Sequence, residues 1–503
     1  MWIPICSSYS PDYTPPMPPR SGYVTLPGTS PRLNPLVNMN YLLCLACAIL
    51  TFTDTNPTVD AAPYEGSNLR SAVLLVELLL AAAGDAFIGY EGGGKKLRRL
   101  DGVLCEPSKG TQAFGYTTIS ENKKCIFVGR LLESSPNTPT FVYLPGGPGV
   151  SALGATLTLI GPCIVEVDDL TLSLNKFAWT RKANGIFMDA PGETGFSVGS
   201  TEASMREYVD NLYKTLLEVI SKAPHLRENL HLVGTSFDGQ TLIVRDGPVL
   251  LNQNPSVDSG LYRGAVEMAR KRNLLPQKTI AKMVTDGDTC FEKVKACQPT
   301  GSHPDPDPSA CQEAANFCRD SLLDPLKAAS ISQYDVRTAP GLEHKYYKLI
   351  TGTAETHMND KTVQAAMGVS KQWFSFDGQV FQDFHKFVAY DTTKVVPSLL
   401  DQGLKVVVFN GDQDFVTNSF GALYWLSGLK GSVDYGEQIA AAKDTPLKFK
   451  EGGSLGTIRA VKYTTGGYLA FIRVPDGSHR PVLNKPLEMQ QAFEAVLSGA
   501  IGP

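Results

Sequence analysis

The chain has 503 residues, 43% of them hydrophobic and 19% charged, with a formal net charge of -4. That length buries a large core and accommodates one or two domains plus appendages. The slightly acidic balance argues against a dedicated nucleic-acid binder, and no apolar run reaches the roughly 18 residues of a membrane span.

Residues 1 to 38 are rich in Pro, Ser and Tyr and show neither helical nor strand periodicity, which reads as disorder. The apolar stretch Tyr41 to Phe52, within MNYLLCLACAILTF, is too short to span a membrane but suits the core of a signal peptide. Translation starting at Met39, with the small residues Ala61 and Ala62 following, would then yield a secretory leader. A buried helix in an extension is the alternative. Cys44 and Cys47 sit inside this apolar run and read as filler rather than a redox or zinc pair. Ala72 to Ala83, interrupted by Glu77, reads as an ordinary helix or pro-segment. Lys95 to Arg99 reads as a solvated loop, with a processing site as the alternative. Residues 1–84 together form the expected extension.

From Cys105 onward, short apolar runs end at turn residues. Phe141 to Leu144 meets PGGPG (Pro145 to Gly149), and Ile186 to Met188 meets Asp189-Ala190-Pro191-Gly192. Leu230 to Val233 meets Gly234, Val406 to Phe409 meets Asn410-Gly411-Asp412, and Phe471 to Val474 meets Pro475-Asp476-Gly477. With helical stretches such as Met205 to Lys222 between them, these runs indicate an α/β fold around a mostly parallel sheet. Residues 85–254 and 377–503 are expected to form its two halves. Residues 255–376, helical and loop-rich, read as an inserted cap. In such sheets the site lies at the carboxyl ends of the strands.

Seven cysteines follow the leader: Cys105, Cys125, Cys163, Cys290, Cys297, Cys311 and Cys318. The last four surround the Pro-rich loop SHPDPDPSA, which two disulfides would staple. Zinc, with His303 as an extra ligand, is the rival reading, but the spacing lacks paired CxxC knuckles. Disulfides and a leader agree on an oxidising compartment.

Acyl transfer by a serine needs a base, a group that orients the base, and donors for the oxyanion. The segment NLHLVGTSFDG (Asn229 to Gly239) carries a strand into a Gly-x-Ser-x-x-Gly turn and presents Ser236. GDQDFVTN (Gly411 to Asn418) then offers Asp412 and Asp414, and DGSHRP (Asp476 to Pro481) offers His479. The order Ser, Asp, His is that of α/β-hydrolases. Asp414 is preferred because the orienting acid lies a few residues past its strand; Asp412 is expected to pair within the turn. His225 and His231 flank the amino end of the strand before Ser236, the wrong end for catalysis. The N–H groups of Gly147 and Phe237 are the expected oxyanion donors. No metal or cofactor is called for by this chemistry.

At this point the chain resembles the serine carboxypeptidase family. The segments ESSPNTPTFVYLPGGPGVSALG, GPCIV, FAWTRKANGIFMDAPGETGFSVG, HLVGTSFDG, SQYDVR, VQAAMGV, VVVFNGDQDFVTN and SHRPVLNKP follow that family's order over about residues 105 to 495. The resemblance implies an α/β-hydrolase fold with a disulfide-bearing cap. It also implies a secreted, lysosomal or vacuolar hydrolase that releases C-terminal residues from peptides through a Ser236-Asp414-His479 triad. The family holds the peptide's terminal carboxylate with an Asn and a pair of glutamates; here those positions are Pro145, Leu159 and Thr235. Of that clamp, the backbone N–H of Gly146 remains. These replacements favour one alternative, an esterase or acyltransferase of the same fold, while Asp238 and the short segment after Ser236 favour another, a catalytically impaired binding homologue. Asp238 stands where the family has a small residue and is expected to crowd the turn and raise the pKa of His479. The segment after Ser236 is short for a helix plus a strand, and Val150 replaces a family cysteine.

Overall fold

The computed structural model describes residues 98 to 501, except 100–103, 106–107, 109, 120–126, 133–137, 167–170, 228, 242–248, 254–259, 301–304, 343–344 and 450–452. The leader, the Ala72 to Ala83 segment, Cys125 and His303 lie outside the described residues. Within the segment expected to be a loop, Arg98–Arg99 forms β1, pairing antiparallel with β2 (Thr111–Tyr116). The remaining strands are β3 (Phe127–Leu132), β4 (Thr140–Leu144), β5 (Cys163–Val165), β6 (Leu172–Leu174), β7 (Asn184–Asp189), β8 (Leu230–Thr235), β9 (Val249–Gln253), β10 (Lys405–Gly411), β11 (Thr445–Lys448), β12 (Ser454–Lys462) and β13 (Tyr468–Val474).

Eleven strands form one sheet in the order β1-β2-β3-β7-β4-β8-β9-β10-β13-β12-β11, and β5 pairs with β6 separately. The centre, from β7 to β13, is parallel. Both edges are antiparallel, so the parallel character belongs to the part of the sheet that carries the site.

The continuous apolar runs follow from burial on both faces. Phe141 and Tyr143 of β4, Val407 and Phe409 of β10, and Ala470 and Ile472 of β13 enter one core. Their neighbours Val142, Leu144, Val406, Val408, Leu469 and Phe471 enter the other. The helix Met205–Lys222 covers the second face. Ser204 caps it by accepting Glu207 N–H, while Glu207 reaches back to Ala203 N–H at 2.8 Å. Tyr208, Leu212, Thr215 and Val219 form its buried stripe.

Between β9 and β10 the chain builds a series of helices with a third apolar cluster around Met268, Met283, Leu322 and Phe415. Cys290 is bonded to Cys318 and Cys297 to Cys311, one bridge nested within the other. These four thiols are therefore spent on each other and hold no metal. A third bridge, Cys105–Cys163, ties the segment before β2 to β5.

Candidate active site

Strand β8 ends at Thr235, and the helix Phe237–Thr241 begins two residues later, so Ser236 alone makes the reversal. Its φ is +55°, a left-handed conformation rare for a residue with a side chain. The sharp turn holds the serine out of the sheet, partly exposed. Glycines make room for it. A Cβ on Gly234 would lie 2.3 Å from Asp238 O, and a Cβ on Gly146 would lie 2.4 Å from Thr235 O. The loop after β4 thus packs directly on the turn. The N–H groups of Gly147 and Phe237 donate no hydrogen bond among the described residues. Beyond the turn, Phe237–Thr241 is helical and β9 begins at Val249, so the short segment yields both a helix and a strand.

Parallel register places the other candidates at the same edge. Thr235 is level with Gln253, Gln253 with Phe409, and Phe409 with Ile472. Asp414 and His479 leave their strands just beyond. Asp414 is fully buried, and its Oδ2 lies 2.9 Å from His479 Nδ1. Thr417 Oγ1 donates to the same Oδ2 and lies 3.0 Å from Nδ1, while Thr417 N–H reaches Asp414 Oδ1 at 3.3 Å. The structure therefore brings Asp414 and His479 together. Ser236 Oγ forms no hydrogen bond to His479.

Asp412, by contrast, takes no part with His479 and, contrary to expectation, pairs with segments beyond its own turn. It accepts Asp476 N–H at 2.8 Å and lies 3.7 Å from Arg272 Nη2. His225 is exposed, and His231 is 2% exposed at the far end of β8. Burial first, then the nearby Lys405 charge, push the His231 imidazole down to about 4.

Sequence reading missed a support for His479 that comes from the helical insertion. Tyr334 O accepts His479 N–H at 2.8 Å, and the two rings lie 5.1 Å apart. The same segment holds the Asp414 loop, through Val336 N–H to Gln413 O and Phe415 N–H to Gln333 O. Arg337 closes the set, pairing with Asp335 at 2.7 Å and donating to Asp476 O at 3.0 Å. SQYDVR was a visible motif, but its partner segments lie far away in the chain.

Two expectations about the turn need correction. Asp238 neither crowds it nor faces His479. Fully buried, its Oδ2 accepts Gly146 N–H at 2.9 Å and its Oδ1 accepts the Tyr208 hydroxyl at 2.8 Å. The Gly146 N–H, expected to remain for a substrate carboxylate, is therefore occupied from within. Burial, then the Asp238 charge, push the Tyr208 phenol well above its ordinary value, so it remains a donor.

The other clamp positions are apolar or silent. Pro145 and Leu159 line a pocket beside β4 together with Trp373 and Arg480. Thr235 is 6% exposed, and its hydroxyl has no partner among the described residues. Ser151, also in the pocket wall, donates to the buried Asp189 at 2.6 Å. Burial pushes the Asp189 carboxyl up to about 6 despite that bond and the N–H groups of Phe196 and Leu153.

Residues 104–499 match the serine carboxypeptidase family. Carboxypeptidase Y homolog A of Arthroderma otae is 26% identical over 448 residues, covering 81% of this chain and 80% of its own. Carboxypeptidase Y homolog A of Coccidioides posadasii is 26% identical over 465 residues, covering 82% of each. The crystal structure of a prohormone-processing carboxypeptidase from Saccharomyces cerevisiae shares the fold, with a TM-score of 0.64 at 19% identity over 80% of this chain and 95% of that one.

Proposed function

The chain belongs to the serine carboxypeptidase family of hydrolases, and we propose that it releases C-terminal residues from peptides through an acyl-enzyme on Ser236. With His479 Nδ1–H donating to Asp414, Nε2 carries the lone pair that accepts the Ser236 proton. Ser236 Oγ bonds to the carbonyl carbon of the last peptide bond. The oxyanion takes hydrogen bonds from Gly147 and Phe237 N–H, each worth roughly 3–4 kcal/mol in the transition state. The C–N bond breaks as His479 returns the proton to the leaving amine. Water, activated by the same imidazole, then frees the acyl group. The open distance between Ser236 and His479 is common before substrate binds.

The observation that carries this reading is the 2.9 Å contact of Asp414 with His479 at the sheet edge where Ser236 turns out. The insertion over 255–376 acts as a cap, with Tyr334 and Trp373 on its inner side. The three disulfides support synthesis in the secretory pathway, with an extracellular, lysosomal or vacuolar destination. No helix among the described residues is long and apolar enough to cross a membrane.

One observation favours a second reading, an esterase or acyltransferase using the same residues: Gly146 N–H is taken by Asp238, and Pro145, Leu159 and Thr235 replace polar clamp residues. Labelling with a fluorophosphonate tests the nucleophile; absence of label on Ser236 in folded protein would leave only a binding homologue. Turnover of a blocked dipeptide against its ester, with Ser236→Ala as control, separates peptidase from esterase.

A further inference from the structure

The two N–H groups proposed for the oxyanion belong to separate segments. Gly147 lies in the loop after β4, and Phe237 opens the helix after the serine turn. The loop has little stiffness of its own. Gly146 and Gly147 have φ of +92° and +110°, backbone that glycine enters without strain and leaves as freely. On its far side the loop is tied to the insertion, by Ser151 N–H to Ser375 O at 3.0 Å and Asp377 N–H to Gly149 O at 2.8 Å. On its near side it is tied to the turn by Asp238, whose Oδ2 accepts Gly146 N–H at 2.9 Å across 92 residues of chain.

Each donor is one residue from an end of that bond: Gly147 follows Gly146, and Phe237 precedes Asp238. The two segments also touch. A Cβ on Gly146 would lie 2.9 Å from Phe237 N and 3.1 Å from Ser236 Cβ, so the loop has no clearance over the turn. Asp238 is fully buried, where a hydrogen bond to a charged acceptor is strong and water does not replace it. We propose that Asp238 is a positioning residue for the oxyanion hole. By holding Gly146, it keeps Gly147 N–H at the spacing from Phe237 N–H that the developing oxyanion requires. Such donors work because they are fixed before the charge appears. An untethered glycine loop would have to be ordered during the reaction, and a displacement of about 1 Å can cost on the order of 100-fold in rate. The other oxygen, Oδ1, accepts the Tyr208 hydroxyl at 2.8 Å, and the helix Met205–Lys222 that bears Tyr208 carries none of the proposed catalytic groups. Of these two bonds, the first reaches the oxyanion loop and the second secures a helix.

The inference rests on the reading of Ser236 as nucleophile with Gly147 and Phe237 as donors, and the rate of fluorophosphonate labelling tests the two apart. In that reaction Ser236 Oγ bonds to phosphorus, fluoride leaves, the serine proton passes to His479, and the phosphoryl oxygen takes the place of the oxyanion. The second-order rate constant is measured for wild type, Asp238→Ala, Asp238→Asn and Tyr208→Phe, with folding checked by circular dichroism. Asp238→Ala is expected to label about 30-fold more slowly, and Tyr208→Phe within about 3-fold of wild type although it too loses a buried bond. Asp238→Asn should fall between wild type and Asp238→Ala, because its amide oxygen still accepts Gly146 N–H but without the charge. Labelling of Asp238→Ala at the wild-type rate, or an equal slowing in Tyr208→Phe, overturns the proposal. Should Asp238→Ala fail to fold, Asp238→Asn decides: slowing beyond that of Tyr208→Phe supports the assignment, and a rate equal to that of wild type or of Tyr208→Phe rejects it. No label on Ser236 in folded wild type removes the nucleophile itself and this inference with it, a result distinct from any difference among the variants.

Discussion

Asp238 Oδ2 accepts the N–H of Gly146 at 2.9 Å, joining the helix after the serine turn to the loop after β4. The contact fixes the two backbone segments that carry Phe237 and Gly147, and it uses up the Gly146 N–H. Asp238→Ala would leave Gly146 N–H and the Tyr208 hydroxyl unsatisfied in a buried place. The expected loss is roughly 2–4 kcal/mol in urea unfolding. Combining it with Tyr208→Phe should cost less than the sum of the two single changes, because one orphan is removed. Strict additivity would mean the bonds contribute little.

Ser236→Ala and His479→Ala are each expected to lower kcat by about 10⁴-fold or more, and Asp414→Asn by about 10⁴-fold, with KM little changed. Combining two of these changes should add almost nothing if the three side chains act as the proposed unit. Steady-state assays on any turned-over substrate read this; an Asp414→Asn enzyme within 10-fold of wild type would dismiss the triad.

Two buried groups oppose each other across the acidic range. The folded-state pKa of Asp189 is raised from 3.8 to about 6, mainly by burial. Its contribution is fully present below about 3.8 and is lost as pH rises through about 6, on the order of 3 kcal/mol in all. The pKa of His231 is depressed from 6.5 to about 4, so its contribution is present above 6.5 and is lost as pH falls through about 4. Melting temperatures of wild type, Asp189→Asn and His231→Leu between pH 4 and pH 7 check both signs. Relative to wild type, Asp189→Asn should fare better at pH 7 than at pH 4, and His231→Leu should fare better at pH 4 than at pH 7.

The nested bridges should matter most to the insertion. The Cys290–Cys318 bridge spans 28 residues and Cys297–Cys311 spans 14. Replacing the outer pair with alanine is expected to cost about 3.5 kcal/mol, and the inner pair about 3 kcal/mol, by loss of the chain constraint on the unfolded state. Because Tyr334 and Gln333 hold the His479 and Asp414 loops, turnover should fall along with stability. Chemical denaturation monitored together with activity detects the coupling, and turnover unaffected in the outer-pair variant would argue that the insertion is mechanically independent.

What was legible in the sequence is local. The helix Met205–Lys222 has its cap and its apolar stripe within one stretch. The runs ending at Leu144, Thr235 and Gly411 announce strands because both sheet faces are buried, and Gly234 and Gly146 mark places where a Cβ has no room. These signals depend on bonds and torsions between near neighbours, and the chain order of Ser236, Asp414 and His479 could be read along with them. Direction of side chains across the fold could not. Asp238 and Gly146 are 92 residues apart, and Tyr334 meets His479 from a different layer. Cys105 meets Cys163, 58 residues further along, only in the folded chain. Whether a buried carboxylate crowds a nucleophile or fastens a loop depends on which donors the tertiary packing brings to it. An aspartate deprived of water must take whatever N–H or O–H lies within reach, and only the folded backbone determines that those are Gly146 and Tyr208.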